Sequence, residues 1–486
     1  MLAVLLVASG DPRCAAGGEG GADGGTAPGA GLNVLLISLT NTRADHLSPY
    51  GYQRETSPNL SRLARESIVF DSAYTHASWT LPVVMSLLSS QYPFEHGLMN
   101  RKEFEPLPEE TTTLIDVLKA NGYRTVGFVG NRDYAGKFGH TNRLGELHDH
   151  VDAKRLEDWK RYGVLANSVP GAIEWLKRNK DERFFMILQG YDTHCPHASP
   201  KRIAKFDPDY RGEIDFTRCY WTFRRTRPLE LTGTDGKKEK VYLMKTKAVL
   251  GDDYEVMFTR RDIEHMVALY DGEIFNADRQ IGQVLDTLKA AGLEENTIVV
   301  FYSDHGDMFG KHGRFMRGGP LRGTFYDDVL HIPLIIRHPK LKAKRVGGFA
   351  QVVDLAPTLL DWLDLESPAG FRGKSLVPLV EAGESVNPRV FAGSAFTPKK
   401  KSAFFQHDSI IASVRDTEWK LIHEKLFYSD AVEDYYELFH VGKDPDELED
   451  LSRQHPEVVE EMRGHIGKWL EGIGATETLD ELNRER

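Results

Sequence analysis

The sequence is poor in cysteine, with 3 in 486 residues, and Cys14, Cys195 and Cys219 make no metal-site spacing and no disulfide framework. Long apolar runs are missing too: no stretch reaches the length of a membrane span. Positive charge is in deficit. The formal net charge of −11 argues against a nucleic-acid binder, which needs a basic footprint. What remains is a chain long enough to bury a large core, and one large α/β domain plus a smaller one is the expectation.

Leu2 to Ala8 is a short apolar run with no basic residue before it, and Ala15 to Gly31 is mostly Gly and Ala. The first resembles the remnant of a secretion signal and the second a flexible tether. Residues 1–32 are therefore read as leader and linker. An extracytoplasmic protein, periplasmic or secreted and in some form tethered, is expected; a cytoplasmic protein with a disordered leader is the alternative. Cys14 lacks the small-residue context of a bacterial lipid-attachment cysteine.

From Asn33 onward, runs rich in β-branched and aromatic residues alternate with helical patterns. Strands are expected at 33–39, 68–70, 124–129, 184–188, 296–302 and 334–336. Helices are expected at 57–66, from 83, and at 113–120, 172–179, 262–291 and 355–363. This alternation predicts an α/β fold, a mostly parallel sheet sandwiched by helices. Residues 200–260 show little periodicity, carry Arg224, Arg225 and Arg227, and read as an insertion or lid. After about 385 the pattern changes to short strands at 412–415, 419–422 and 436–439 and a closing helix at 458–471. A domain over 33–385 and a small C-terminal α+β subdomain with an antiparallel sheet, 386–486, are the expected units.

The chemistry centres on Ser303-Asp304-His305-Gly306, directly after the apolar run that ends at Tyr302. A buried parallel strand would deliver Asp304 and His305 to its carboxyl end, where open α/β sheets bind ligands. Both are metal-ligand types, and Gly306 lets the chain turn after them. Taken alone, the stretch reads more readily as a turn with a capping Asp and a surface His, and it is the rest of the chain that raises it.

Other motifs occur in a fixed order around it. They include Asn33-Val-Leu-Leu-Ile-Ser-Leu, Arg43-Ala-Asp-His-Leu, Tyr50-Gly-Tyr, Thr56-Ser-Pro-Asn-Leu, Trp79-Thr-Leu-Pro and Gly122-Tyr-Arg-Thr. Tyr191-Asp-Thr-His, Leu269-Tyr-Asp-Gly-Glu-Ile, Gly310-Lys-His-Gly, Asp354-Leu-Ala-Pro-Thr-Leu-Leu and Tyr436-Glu-Leu-Phe follow. In this order they resemble the sulfatases of the alkaline phosphatase superfamily, over nearly the whole span from Asn33.

The resemblance implies a sulfate or phosphate ester hydrolase assisted by a divalent metal ion: calcium, or zinc or manganese if phosphatase-like. It puts Thr80 at the nucleophile position, His194 and Arg322 beside it as catalytic residues, and Asp304, His305, Asn41 and Thr40 around the metal. Arg317, Arg132 and His312 are the substrate-binding candidates. The departures matter as much. Sulfatases proper carry a Cys or Ser that becomes formylglycine; Thr80 cannot follow that route, and a Thr there is what phosphoryl-transferring relatives use. Thr40 stands where the family has a metal-binding Asp, with Asn41 next. Val83-Val84 replace a Ser-Arg or Ser-His pair. Asn131, with Arg132 beside it, replaces a Lys, Arg317 a His, and Arg322 a Lys. Thr80 as a helix-start residue and His194 as a backbone-bonded loop histidine are the plain alternatives.

Two functions are carried forward. One is a hydrolase with a weakened metal site, acting on a small-molecule, glycan or lipid ester. The other is a catalytically silent protein binding an anionic glycan or lipid head group. A surface scaffold that keeps only the fold, resting on Val83-Val84, stands third. Bound metal discriminates the first two, and weak or absent metal binding is expected from the loss of ligand charge.

Overall fold

Asn33–Leu39 is buried at every position. Its alternate residues join two different cores, Leu36 one and Leu35, Ile37 and Leu39 the other. A strand covered on both faces needs apolar side chains on both, which is why the run is continuous rather than alternating. The computed structural model describes residues 31–99, 105–134, 136–149, 163–195, 197, 205–212, 229–232, 238–246, 254–315, 317, 324–396, 408–428 and 431–484. The leader-like residues 1–30, Arg322 and the arginines 224, 225 and 227 lie outside them.

The strands in chain order are β1 Asn33–Leu39, β2 Ile68–Tyr74, β3 Arg124–Val129, β4 Glu146–Asp149, β5 Phe184–Gly190, β6 Leu229–Thr232, β7 Lys238–Thr246 and β8 Tyr254–Phe258. They continue with β9 Thr297–Tyr302, β10 His331–Arg337, β11 Lys344–Gln351, β12 Val390–Phe396, β13 Asp408–Arg415, β14 Lys420–Phe427 and β15 Val432–Phe439. Eight form the main sheet, ordered β11-β2-β10-β9-β1-β5-β3-β4. β1 lies at its centre, parallel to both β5 and β9, with Ile37 level with Leu188 and Phe301. β10 runs antiparallel to β9 and β2, so the sheet is mixed but mostly parallel. The expected fold class holds, with helices on both faces.

The helices that matter here are α1 Pro58–Ala64, α2 Thr80–Ser89, α3 Leu165–Arg178, α4 Arg260–Ala290, α5 Leu355–Trp362 and α6 Pro456–Gly472. α1 starts at Pro58 with Ser57 as its N-cap residue; Pro is tolerated there because its missing N–H would be unpaired anyway. α2 and α5 pack on the face of Leu36, Phe70 and Val300, while α3 and α4 cover the face of Ile37, Leu188 and Phe301. Phe301 is fully buried, so Phe301→Ala would cost about 3–5 kcal/mol.

Two expectations change. α3 begins at Leu165, ahead of the expected 172, because Pro170 is accommodated inside it. Within 200–260, where little periodicity is legible, β6, β7 and β8 form a three-stranded antiparallel sheet. Toward the C-terminus, β12 to β15 form a four-stranded antiparallel sheet. One of its faces packs on α6 through Ala412, Val414, Leu421 and Leu438; the other meets the α/β region through Ile411, Ile422 and Phe439 against Phe325, Tyr326 and Val329. Among the described residues no helix is long and apolar enough to cross a membrane.

Candidate active site

The loops that follow β1, β5 and β9 meet at the carboxyl edge of the sheet, and the start of α2 faces them. Thr40 extends the pairing of β1, its N–H donating to the Gly190 carbonyl at 3.1 Å. The chain then turns at Asn41, which sits in the left-handed region at φ 64°. Asn tolerates that region better than most residues. The turn aims Asn41 N–H at Asp304 Oδ1 (2.8 Å) and Thr42 N–H at Ser303 Oγ (2.8 Å). Tyr270, from α4, staples it: its hydroxyl donates to the Asn41 carbonyl (2.8 Å) and accepts from Arg43 N–H (2.8 Å).

Asp304 is buried, and its Oδ1 also accepts from His305 N–H at 2.9 Å. Burial raises its pKa; the Thr80 hydroxyl, the Asn41 N–H and the Arg317 cation pull the other way. His305 Nδ1 lies 3.0 Å from the Gly306 carbonyl. A carbonyl only accepts, so Nδ1 carries the proton and Nε2 presents its lone pair. Burial, then the nearby Arg317, push this imidazole's pKa well down, which keeps it neutral. Asn41 Nδ2 donates to the Thr193 carbonyl (3.2 Å) and to Asp307 Oδ2 (2.9 Å). Both are acceptors, so the amide can only be oriented with Oδ1 on its other side.

Three touching residues thus each hold a buried atom with no hydrogen-bond partner: Asn41 Oδ1, Asp304 Oδ2 and His305 Nε2. The last two are 3.5 Å apart. An unsatisfied buried polar atom costs about 1–3 kcal/mol, and a cation held among the three would satisfy all of them. A carboxylate oxygen, an amide oxygen and a neutral imidazole suit a divalent ion of hard to borderline character. The charge count is low, and among the described residues no group of three or more His, Cys, Asp or Glu could hold a metal ion. Thr40 sits on the wall with its oxygens occupied: its hydroxyl accepts from Gln189 Nε2 at 2.8 Å and its carbonyl accepts from the Thr193 hydroxyl.

Thr80 is the buried first residue of α2, and its Oγ1 accepts from Asn131 Nδ2 at 3.3 Å. Arg317 is 5 % exposed. Its Nη2 donates to His194 Nε2 at 2.6 Å, while Nε and Nη1 have no hydrogen-bond partner. A buried guanidinium with two open N–H groups is an anion receptor. His194 Nδ1 donates to the Cys195 carbonyl at 2.6 Å, and its ring stacks on Tyr191. The histidine therefore meets Arg317 as a neutral acceptor.

Thr80, Asn41, His194, Asp304, His305 and Arg317 are thus linked, with Thr40 behind them. Arg132 is exposed; Asn131 beside it is the residue turned inward. His312 stacks on Tyr326 with ring centroids 3.8 Å apart, on the side of the C-terminal sheet. Arg322 lies outside the described residues. Cys195 is disulfide-bonded, which the cysteine spacing did not suggest. Sequence reasoning missed Gln189, Asn131 as a contact of Thr80, and Asp307. A polar Gln at the end of the otherwise apolar strand 184–190 was a usable signal; Asn131 was marked only as the replacement of a Lys, and nothing comparable marked Asp307.

The sequence matches the Sulfatase family over residues 32–365 and the family described as N-sulphoglucosamine sulphohydrolase, C-terminal, over 310–471. Arylsulfatase K of Rattus norvegicus is 25% identical, the alignment covering 93% of this chain and 80% of the relative. Among solved structures, the phosphonate monoester hydrolase of Agrobacterium radiobacter superposes with a TM-score of 0.67 at 22% identity, over 92% of this chain and 96% of the other. A protein solved with its substrate D-glucosamine-2-N,6-O-disulfate superposes with a TM-score of 0.66 at 18% identity, over 93% and 100%.

Proposed function

The chain belongs to the sulfatase family, and on that premise we propose that it hydrolyses a sulfate or phosphate monoester with Thr80 as nucleophile and a weakly held divalent cation. The observation that carries the reading is the meeting of open atoms at one point: Asn41 Oδ1, Asp304 Oδ2 and His305 Nε2 for the cation, and Arg317 Nε and Nη1 for the anion. Bound among the first three, a cation would neutralise ester charge and acidify a coordinated hydroxyl.

This chain's own residues do the rest. Arg317 takes an oxygen of the ester group through an open N–H group, and His194 holds that guanidinium in place. Asn131 fixes the Thr80 hydroxyl on one side, and Asp304 draws it from the other. Attack by Thr80 Oγ on sulfur or phosphorus would expel the alcohol, which takes up the proton that Thr80 gives up. Water would then cleave the Thr80 ester and release inorganic sulfate or phosphate. A phosphoryl group is the better fit, since an alcohol nucleophile lacks the second hydroxyl by which a hydrated aldehyde expels sulfate. The D-glucosamine-2-N,6-O-disulfate bound as substrate by one structural neighbour supports a sugar as the carrier of the ester.

The neutral pair Thr40 and Asn41 weakens the cation site, since ligand charge is a main determinant of affinity for hard cations. Aryl sulfate turnover is expected to be slow or nil, and aryl phosphate turnover faster. In Thr40→Asp the new carboxylate would keep the bond from Gln189 and add an open oxygen. That variant should bind manganese or calcium at least about tenfold more tightly, with phosphatase activity rising in step. Tight binding of one equivalent of metal by the unaltered protein, with ordinary rates on an aryl sulfate, would overturn the argument from charge.

A further inference from the structure

We propose that Asp307 is a positioning residue that sets the polarity of the Asn41 amide and returns part of the negative charge the cation site lacks. The inference rests on the cation site argued above. Asp307 is 2 % exposed and one residue beyond Gly306. Its Oδ2 accepts from Asn41 Nδ2 at 2.9 Å, and its Oδ1 accepts from Met308 N–H at 3.0 Å. Its carbonyl accepts from Arg43 Nη1 at 2.8 Å. Arg43 is in turn paired with Asp45 and Asp328. The carboxylate is therefore fixed at both oxygens and through its backbone.

An amide is a poor cation ligand unless its carbonyl end faces the ion, and a free Asn side chain has two nearly isosteric orientations. A carboxylate accepts only. Opposite Asp307 the Asn41 nitrogen must face the acid, so the oxygen is turned to the side where Asp304 and His305 hold their own open atoms. The bond is charge-assisted, which makes the reversed amide costlier than a neutral acceptor would. It also polarises the Asn41 carbonyl, so that charge two bonds from the ion reaches it through the amide. Partners of this kind, bonded to a ligand and not to the metal, typically change metal affinity 10–100-fold when removed.

The test uses the full chain and manganese alone, read by titration calorimetry, with melting temperature in chelator as a second readout. Asp307→Ala should weaken manganese binding by roughly tenfold or more. Asp307→Asn keeps the size and an acceptor, guards against loss of folding in the alanine variant, and should weaken binding by a smaller factor. The double variant N41D/D307N exchanges acid and amide. The amide introduced at position 307 would donate to the carboxylate introduced at position 41, and affinity should return to the unaltered level or above. Asp307→Ala and Asp307→Asn that melt earlier in chelator but bind manganese unchanged would overturn the inference, leaving Asp307 a turn-holding residue. So would a double variant that binds no better than Asp307→Asn alone. If the unaltered protein binds no manganese, zinc or calcium, the cation site itself falls, and the positioning role with it.

Discussion

Arg317 and Thr80 show how far single residues can be read. Thr80 was legible because a motif placed it before Pro82, and its contact with Asn131 was not, because 51 residues separate the two. Arg317 was legible through the resemblance, as the residue that stands where the family has a His past Gly310-Lys-His-Gly. Its orientation by His194 was not, since that pairing spans 123 residues. Sequence patterns report local geometry well and side-chain meetings across the sheet poorly. With Thr80 as the proposed nucleophile, Thr80→Ala should reduce turnover by at least about 10³-fold. A variant that retains its rate would assign attack to another group. Arg317→Gln should raise KM for an aryl phosphate and abolish protection by inorganic phosphate in a melting assay. An unchanged KM would remove Arg317 from the anion site.

The elements were more legible than the residues, for a physical reason. Strands such as Asn33–Leu39 and Thr297–Tyr302 are buried on both faces, and only a continuous apolar run satisfies that. Direction is another matter. The strand expected at 334–336 forms as His331–Arg337, yet it runs antiparallel to its neighbours, and nothing in an apolar run encodes direction. α2 carries Thr80 into the site and is backed by His96, whose Nε2 meets Ser86 Oγ at 3.2 Å. His140 and His76 are buried nearby. Burial lowers the pKa of His76 to about 4, and of His96 and His140 to about 3. A base whose folded pKa is depressed stabilises the fold fully above its unfolded value, near 6.5, and loses that contribution as pH falls through the folded value. Melting temperature should therefore drop between about pH 6 and pH 3. His96→Gln should flatten that drop while lowering stability at pH 7. A variant with the same acid profile as the unaltered protein would remove His96 from the cause.

At the scale of the whole molecule, the α/β region and the C-terminal sheet are joined by buried charge. Lys420 Nζ, on β14, lies 2.6 Å from Asp327 and 2.6 Å from Glu447. Arg415, on β13, meets Asp327 at 2.9 Å. Burial raises Glu447 to about 7 despite the lysine. Lys420→Met would leave buried carboxylates uncompensated and should cost about 3–5 kcal/mol. The loss should be larger at pH 8 than at pH 5.5. A carboxyl with a raised folded pKa stabilises most below its unfolded value and stops doing so as pH rises through about 7, where ionised Glu447 then needs the missing cation. An equal loss at both values would show that Glu447 is not the group in play. The change of sequence pattern near 385 foretold a second sheet, but not this pairing, because charged residues on short strands usually read as solvent-facing.

Gly306 extends the reach of that junction. Its N–H donates to the Val329 carbonyl at 2.8 Å, and a Cβ in its place would stand 2.0 Å from the Asp328 carbonyl. The loop bearing Asp304 and His305 therefore leans on residues 327–330, and those lean on Lys420 and Arg415. On the ribosome, where a chain emerges N-terminal end first, the strand that leads to Asp304 and His305 is complete before β13 and β14 exist. The loop bearing Asp304 and His305 has to wait for β13 and β14 before its backing is complete, so a chain that ends before residue 408 lacks that support.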